Sequence, residues 1–217
     1  MLRMPTLISR FEDLPPAQVY LVAGPAASGK TTFSSQLASH LHAAVLSMDH
    51  YFVDEDQITV EHDEKYGEAP QWESPEAYDI QTLGQNIREL LHDGETLIPQ
   101  YSFVSNRRVG YQRMHLQPGQ PLVIEGLYTI RCEQFFREYA DSLIKVFVVA
   151  DLDIRRARAR VRDVEERGKS LEIFELRRHF VELGERRWIL KQEGDADFIL
   201  EIHNDFSYDT FFSRTRS

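Results

Sequence analysis

Eight residues, Gly24-Pro25-Ala26-Ala27-Ser28-Gly29-Lys30-Thr31, follow the spacing G-x-x-x-x-G-K-[ST]. Glycines at this spacing let the backbone curl so that its N–H groups face phosphate oxygens, and the start of a following helix adds partial positive charge. Lys30 is expected to reach the β- and γ-phosphates of a nucleoside triphosphate, and the Thr31 hydroxyl to ligate Mg²⁺. Thr32 continues the nucleotide-binding stretch. Such a loop holds phosphates; it does not say where the terminal phosphoryl goes.

Two acids stand at points where they could decide that. Asp49 closes the run Leu46-Ser47-Met48-Asp49, and Glu125 closes Leu122-Val123-Ile124. In an open α/β sheet the carboxyl ends of the strands line the ligand crevice, so both acids are expected at the phosphate loop. Asp49 there can take a proton from an acceptor hydroxyl, and Glu125 suits a Mg²⁺-side ligand; Asp49 is also within reach of that metal. A third element is basic: Arg155, Arg156, Arg158, Arg160 and Arg162 crowd one short stretch, and Arg167 follows. At helical spacing Arg155, Arg158 and Arg162 share a face, which could close over phosphate oxygens as a lid.

Three kinds of phosphate chemistry compete: a small-molecule transferase, a GTPase-like switch, and an ATPase motor or transporter subunit. No N-K-x-D or T-K-x-D guanine-reading motif and no L-S-G-G-Q-like signature occurs. Those absences favour the transferase.

The elements that must position these residues follow from periodicity. Val19–Ala23 reads as a short buried strand, and 30–41 as a helix. Ala43–Leu46 is the next strand. Residues 54–68 are acidic and aperiodic, which predicts a loop or small mobile insertion. Ser74-Pro75-Glu76 predicts a helix start, with Leu83, Ile87, Leu90 and Leu91 on one face and Gly94 to stop it. Leu97–Phe103 reads as an extended edge segment because of Pro99. Leu122–Gly126 is another strand, followed by a helical pattern through Phe135, Phe136 and Tyr139. Ile144–Ala150 is the most apolar strand. Helices are expected over about 154–167 and 171–191, then a strand at Phe198–Ile202. Strands alternating with helices indicate an α/β fold with a central parallel sheet covered on both faces.

Composition excludes other classes. The chain has 217 residues, one sizeable domain's worth, and 25 Lys+Arg against 35 Asp+Glu leave a net charge of −10. A nucleic-acid or acidic-membrane binder would be basic, so the partner expected is a small molecule. The single cysteine, Cys132, forbids an internal disulfide framework. No segment reaches the ~18 consecutive apolar residues of a membrane span. No apolar N-terminal region of signal-peptide type is present either. The expectation is a soluble, cytoplasmic protein. His62 with Asp63 and Glu64 lacks a fixed ligand spacing, and Trp72 and Trp188 read as packing residues.

With these residues assembled, the chain resembles the uridine–cytidine kinase family, within the phosphoribulokinase/uridine kinase group of P-loop kinases. The resemblance runs from about Val19 to Asp205. L-S-M-D-H-Y-F (46–52) resembles the family's strand end with its catalytic aspartate, placing that role on Asp49. W-E-S-P-E-A-Y-D (72–79) is similar to D-x-P-x-A-F-D, whose last acid holds the ribose hydroxyls and falls on Asp79. I-P-Q-Y-S-F-V-S-N-R (98–107) resembles P-x-Y-D/S-F-x-x-H-x-R, and V-I-E-G (123–126) the Mg²⁺-side strand. R-V-R-D-V-E-E-R-G (160–168) resembles the lid R-D-x-x-x-R-G, with phosphate-handling arginines at Arg162 and Arg167.

The resemblance implies a P-loop NTPase-type three-layer fold with an arginine-bearing helical lid, ATP and Mg²⁺ as cofactors, and a homo-oligomer. It implies one kinase domain over 1–217, with a lead-in at 1–17, the acidic loop at 53–71 and the lid region at 153–170. Nucleotide contacts are expected from Gly24, Pro25, Ala26, Ala27, Ser28, Gly29, Lys30, Thr31, Thr32 and Arg158. Acceptor contacts are expected from Asp79, Tyr78, Tyr101, Asn106 and Lys169, with Thr31, Glu125 and Asp49 at the metal. The departures gather on the acceptor side. Asn106 replaces the histidine that reads the pyrimidine edge, Ala159 follows Arg158 where a second arginine is usual, and Lys169 replaces arginine. Arg177 falls near a usual glutamine. The expected reaction is transfer of the γ-phosphoryl of ATP to a nucleoside 5′-hydroxyl, with a different acceptor of the same group as the alternative.

Overall fold

Val19, Leu21 and Ala23 pack into one apolar cluster and Tyr20 and Val22 into another, and all five are buried. A strand buried on both faces belongs at the centre of a sheet. The computed structural model describes residues 14–205 and 208–212. In chain order its elements begin with β1 (Val19–Ala23), α1 (Lys30–Leu41), β2 (Ala44–Ser47), β3 (Val60–Asp63) and β4 (Gly67–Pro70). There follow α2 (Ile80–Asp93), β5 (Glu95–Ser102), β6 (Arg107–His115), β7 (Leu122–Gly126) and β8 (Leu143–Val149). The last are α3 (Leu152–Arg160), α4 (Leu171–Gly184), β9 (Phe198–Ile202) and β10 (Tyr208–Phe212).

The main sheet has the order β10-β9-β8-β1-β7-β2. Its first five strands in chain order pair in parallel, and β10 closes one edge antiparallel to β9. Helix α1 covers one face through Phe33, Leu37 and Ala38, packed with Tyr20, Val22 and Val146. Helix α2 belongs to the cluster on the other face through Leu83, Ile87 and Leu90. Each of the buried Phe, Leu, Ile and Val side chains contributes about 1.5–3 kcal/mol by leaving water. Among the described residues no helix is long and apolar enough to cross a membrane.

The parallel sheet, its strands and α1 agree with the sequence reading; several elements differ from it. The signature Ser74-Pro75-Glu76 starts only a short 3₁₀ turn, Pro75–Ala77, with the Ser74 hydroxyl accepting from the Glu76 N–H. Tyr78 is then extended, pairs with Phe52 in an isolated bridge and stacks on its ring at 4.2 Å. Helix α2 starts afresh at Ile80, capped by Asp79, and Gly94 ends it. The acidic stretch holds a hairpin, β3 with β4, rather than an irregular loop. Bonds from Asp63 to His179 and from Glu61 to Arg187 hold it against the far end of the chain. Leu97–Phe103 does contain a strand, but its partner is β6, which no apolar alternation announces.

Residues 131–139 form two short 3₁₀ turns instead of a helix. The two long C-terminal helical stretches each break into an α-helix followed by a π-helical turn, Val161–Glu166 and Glu185–Ile189.

Candidate active site

Strand β1 stops at Ala23, and the chain turns at once. At Gly24, with φ +151°, a Cβ would sit 2.2 Å from the Val148 carbonyl oxygen, so no side chain fits between the loop and β8. Ala27 and Gly29 also have positive φ. The turn delivers the chain into α1 at Lys30, and Gly29 has no side chain to cap the helix's first N–H groups, which suit an anion. Lys30 is buried and donates from Nζ to the Pro25 carbonyl at 3.0 Å. Burial lowers its pKa, against the pull of Glu125 and Asp49.

One loop residue is gripped from outside. The Ala26 N–H donates to Glu185 Oε1 at 2.9 Å, and Arg155 Nη1 donates to the Ala26 carbonyl at 3.3 Å. Arg155 also bonds both Glu185 oxygens at 2.8 Å, and Glu185 is buried. Three segments far apart in sequence therefore meet at one peptide.

Sheet register brings the acids to this loop. Glu125 on β7 lies level with Val22 of β1 and Ser47 of β2. Thr31 Oγ1 donates to Glu125 Oε2 at 3.2 Å, and Ser47 Oγ donates to Oε1 at 2.5 Å. Asp49 sits in the 3₁₀ turn just past β2, with its N–H bonded to Ser47 Oγ. Burial and the nearby Glu125 carboxylate push the Asp49 carboxyl up to about 6, against Lys30, Arg162 and Arg167. Burial lowers the His50 pKa next door.

A cleft of about 660 Å³ opens beside these groups. Ala26, Ala27, Gly29, Lys30, Thr31 and Thr32 line one end, with Asp49 and Glu125 beside them. Arg158, Arg162 and Arg167 line the side formed by α3 and the π-helical turn and bend that follow it. Arg162 and Arg167 share one carboxylate, Asp163, at 3.1 and 3.2 Å. Phe52, Trp72, Tyr78 and Phe103 supply an aromatic wall, with Asn106 nearby. The Tyr78 hydroxyl is buried without a hydrogen-bond partner.

Other residues singled out in the sequence stand outside the cleft lining. Gly24, Pro25 and Ser28 build the loop from behind. Asp79 caps α2 through the Thr82 N–H at 3.0 Å and pairs with Arg108 at 3.2 Å. Tyr101 packs on Phe52 and Phe103 at 5.4 Å. The Lys169 N–H bonds the Asp163 carbonyl, just past the π-helical turn. Asn106 does line the cleft, in a left-handed turn between β5 and β6, and its amide donates to Glu55 at 2.9 Å.

Several lining residues went unassigned in the sequence reading. Phe52 and Phe103 lie inside the quoted segments but carry no polar group to mark them. Trp72, read as packing, lines the cleft, as do Glu73 and Arg177. The donor set fits a hard divalent cation: two carboxylates and hydroxyls, with no group of three or more His, Cys, Asp or Glu able to enclose a metal among the described residues. Mg²⁺ is held in this way, by one or two carboxylates plus substrate phosphates and water.

Comparison with known proteins agrees with this geometry. The family model described as phosphoribulokinase/uridine kinase matches residues 19–207. The chain is 31% identical over 155 residues to the uridine kinase of Lactobacillus helveticus (strain DPC 4571), covering 70% of each chain. It is 29% identical over 154 residues to the uridine kinase of Macrococcus caseolyticus (strain JCSC5402), covering 70% of this chain and 71% of that one. The solved structure of phosphoribulokinase from Rhodobacter spheroides matches with a TM-score of 0.50 at 15% identity, over 85% of this chain and 70% of that one. A protein of Silicibacter sp. TM1040, assigned as a fructose transport system kinase, matches with a TM-score of 0.59 at 19% identity, over 82% and 87%. At these identities the two structures speak for the fold alone.

Proposed function

The chain belongs to the phosphoribulokinase/uridine kinase family and is an ATP-dependent kinase of a small-molecule hydroxyl, and from that premise we propose that it phosphorylates the 5′-hydroxyl of a nucleoside. One observation carries the reading. Lys30, Thr31, Glu125 and Asp49 meet at the end of the cleft, and the aromatic wall of Phe52, Trp72, Tyr78 and Phe103 lines the same space.

The roles follow from position. The loop N–H groups and Lys30 hold the triphosphate, and Thr31, Glu125 and Asp49 hold Mg²⁺, which when bound neutralises charge on the β- and γ-phosphates. Asp49 accepts the proton of the attacking hydroxyl. With no cation bound, burial and the Glu125 carboxylate hold its carboxyl above the ordinary carboxylate range; Mg²⁺ bound alongside would lower it. Arg162 and Arg167 stabilise charge on the transferring group, and the segment from α3 to Lys169 closes over it to exclude water. The test is ADP release with Mg-ATP and uridine, cytidine and purine nucleosides. Nucleoside-dependent release that Asp49→Asn abolishes supports the reading. Release with no nucleoside at all would sink it.

A second reading, a different acceptor within the same family, is favoured by Asp79. The acid expected to hold ribose hydroxyls is already engaged by Arg108 and the α2 N-terminus. The same acceptor side carries Asn106, Lys169 and Arg177 in place of the usual residues.

A further inference from the structure

Arg177, on α4, lines the cleft and is half-buried. Among the described residues its guanidinium makes no hydrogen bond and no ion pair within 4 Å. It lies 5.9 Å from the Trp72 ring centre and feels the buried Glu73 carboxyl only at longer range. Lys169 is also half-buried, and its ammonium likewise has no ion-pair partner among the described residues. Every other arginine of this wall is engaged: Arg155 by Glu185, Arg162 and Arg167 by Asp163, Arg158 by the Ser28 and His203 carbonyls.

Arg158, Arg162, Arg167 and Arg177 thus line the cleft, with Lys169 close behind the last three, in a chain of net charge −10. They act on one another. After burial, Arg177 is the largest influence lowering the Lys169 pKa, and Arg162 the largest lowering that of Arg167. A half-buried cation without a counter-ion, as at Arg177, is unfavourable, and a bound anion relieves it. The triphosphate accounts for Arg158, Arg162 and Arg167, which lie beside the phosphate loop. It leaves Arg177, on the side of Trp72 and Glu73, and Lys169 within electrostatic reach of it.

We infer that the acceptor alcohol carries an anionic group, a phosphate monoester or a carboxylate, which Arg177 binds with Lys169 in support. The inference rests on the kinase reading above in its second form, an acceptor other than an unmodified nucleoside, and names that acceptor's chemistry. A planar guanidinium presents paired donors that match either anion, and the Trp72 ring lies 5.9 Å from it. Tyr78 adds an unpartnered hydroxyl on the same wall for the neutral part of the acceptor.

The test uses matched acceptors that differ by the anion: ribulose 5-phosphate against ribulose, pantothenate against pantothenol, and orotidine against uridine. ADP release gives kcat/KM, and thermal shift with a non-hydrolysable ATP analogue and Mg²⁺ gives binding without turnover. In at least one pair the anionic member should be preferred by about ten- to hundredfold, the worth of one charge-assisted contact. Arg177→Gln should collapse that preference, with the loss falling on the acceptor KM rather than on the ATP KM. Arg177→Lys should restore part of it.

Three results would overturn the inference: the neutral member equal or better in every pair, no selective binding of any anionic member, or equal losses for both members in Arg177→Gln. The kinase reading fails separately. An anionic acceptor that binds selectively through Arg177 yet releases no ADP would retain the subsite and reject the reaction.

Discussion

The two ends of the cleft are built in different ways. The phosphate end is made of backbone: a loop between β1 and α1, pinned by Gly24 against β8, with acids delivered by strand register. The acceptor end is made of side chains from the turn after β2, the segment before α2, the β5–β6 hairpin and α4. Backbone geometry tolerates few alternatives, whereas side chains on separate segments can be exchanged one at a time. A fold can therefore keep its phosphate chemistry fixed while its acceptor changes. Of the residues singled out as departures from the family pattern, Asn106 and Arg177 line this cleft.

The strongest way to sharpen this contrast is Asp49→Asn. Removing the base should cost about 10²–10⁴ in kcat while ATP-analogue binding, followed by fluorescence titration, persists. Equal loss of both would mean that Asp49 serves the nucleotide end rather than the transfer. Next in size is Gly24→Ala. The 2.2 Å clash with a backbone oxygen has no flexible atom to yield, and chemical denaturation should show a loss of about 1–3 kcal/mol together with weakened ATP binding.

A third prediction concerns the acceptor end alone. Burial pushes the Glu73 carboxyl up to about 7, partly offset by Arg177. The folded chain therefore holds a proton that the unfolded chain has released. Stability should fall as pH rises from about 4.5 toward 7, with a slope of at most about 1.4 kcal/mol per pH unit from this group, and then level off. Denaturation of Glu73→Gln across that window should show a flatter profile; an unchanged slope would remove Glu73 as its source. The smallest effect is expected from Arg108→Ala. Its guanidinium pairs with Asp79 and also donates to the Phe52 and Tyr51 carbonyls, so stability should fall by about 1–2 kcal/mol. The informative readout is the acceptor KM, which should move if freeing Asp79 opens it to the acceptor's hydroxyls.

The same contrast governs what the sequence reveals. Spacing within Gly24–Thr31 and apolar runs ending in an acid are local signals, and the strands and α1 lie where those signals put them. Tyr78 shows the limit. Ser74-Pro75-Glu76 is a sound capping signature, but packing of Tyr78 on Phe52 keeps the chain extended and delays α2 to Ile80. Strand β6 has no alternating pattern because most of it faces solvent and it pairs only with β5. Arg177 was visible only as an unusual residue at its position; that it stands without a partner inside the cleft depends on the crossing of α4 and the Trp72 segment. Glu185 gave no signal. Its role exists only because Ala26 and Arg155 come to meet it.

That meeting has a consequence for how the protein is made. Arg155 and Glu185 lie 129 and 159 residues after Ala26 in the chain. Strand β1 is likewise flanked by β7 and β8, which emerge far later than it does. Domains are synthesised from the N-terminus, and long-range contacts form only when their partners exist. The phosphate loop leaves the ribosome well before Arg155 and Glu185 do, and it reaches its gripped form only once the chain has passed Glu185. A nascent or truncated chain ending before that residue carries the whole loop sequence without the grip on its Ala26 peptide. Maturation of the nucleotide site is thus tied to synthesis through Glu185.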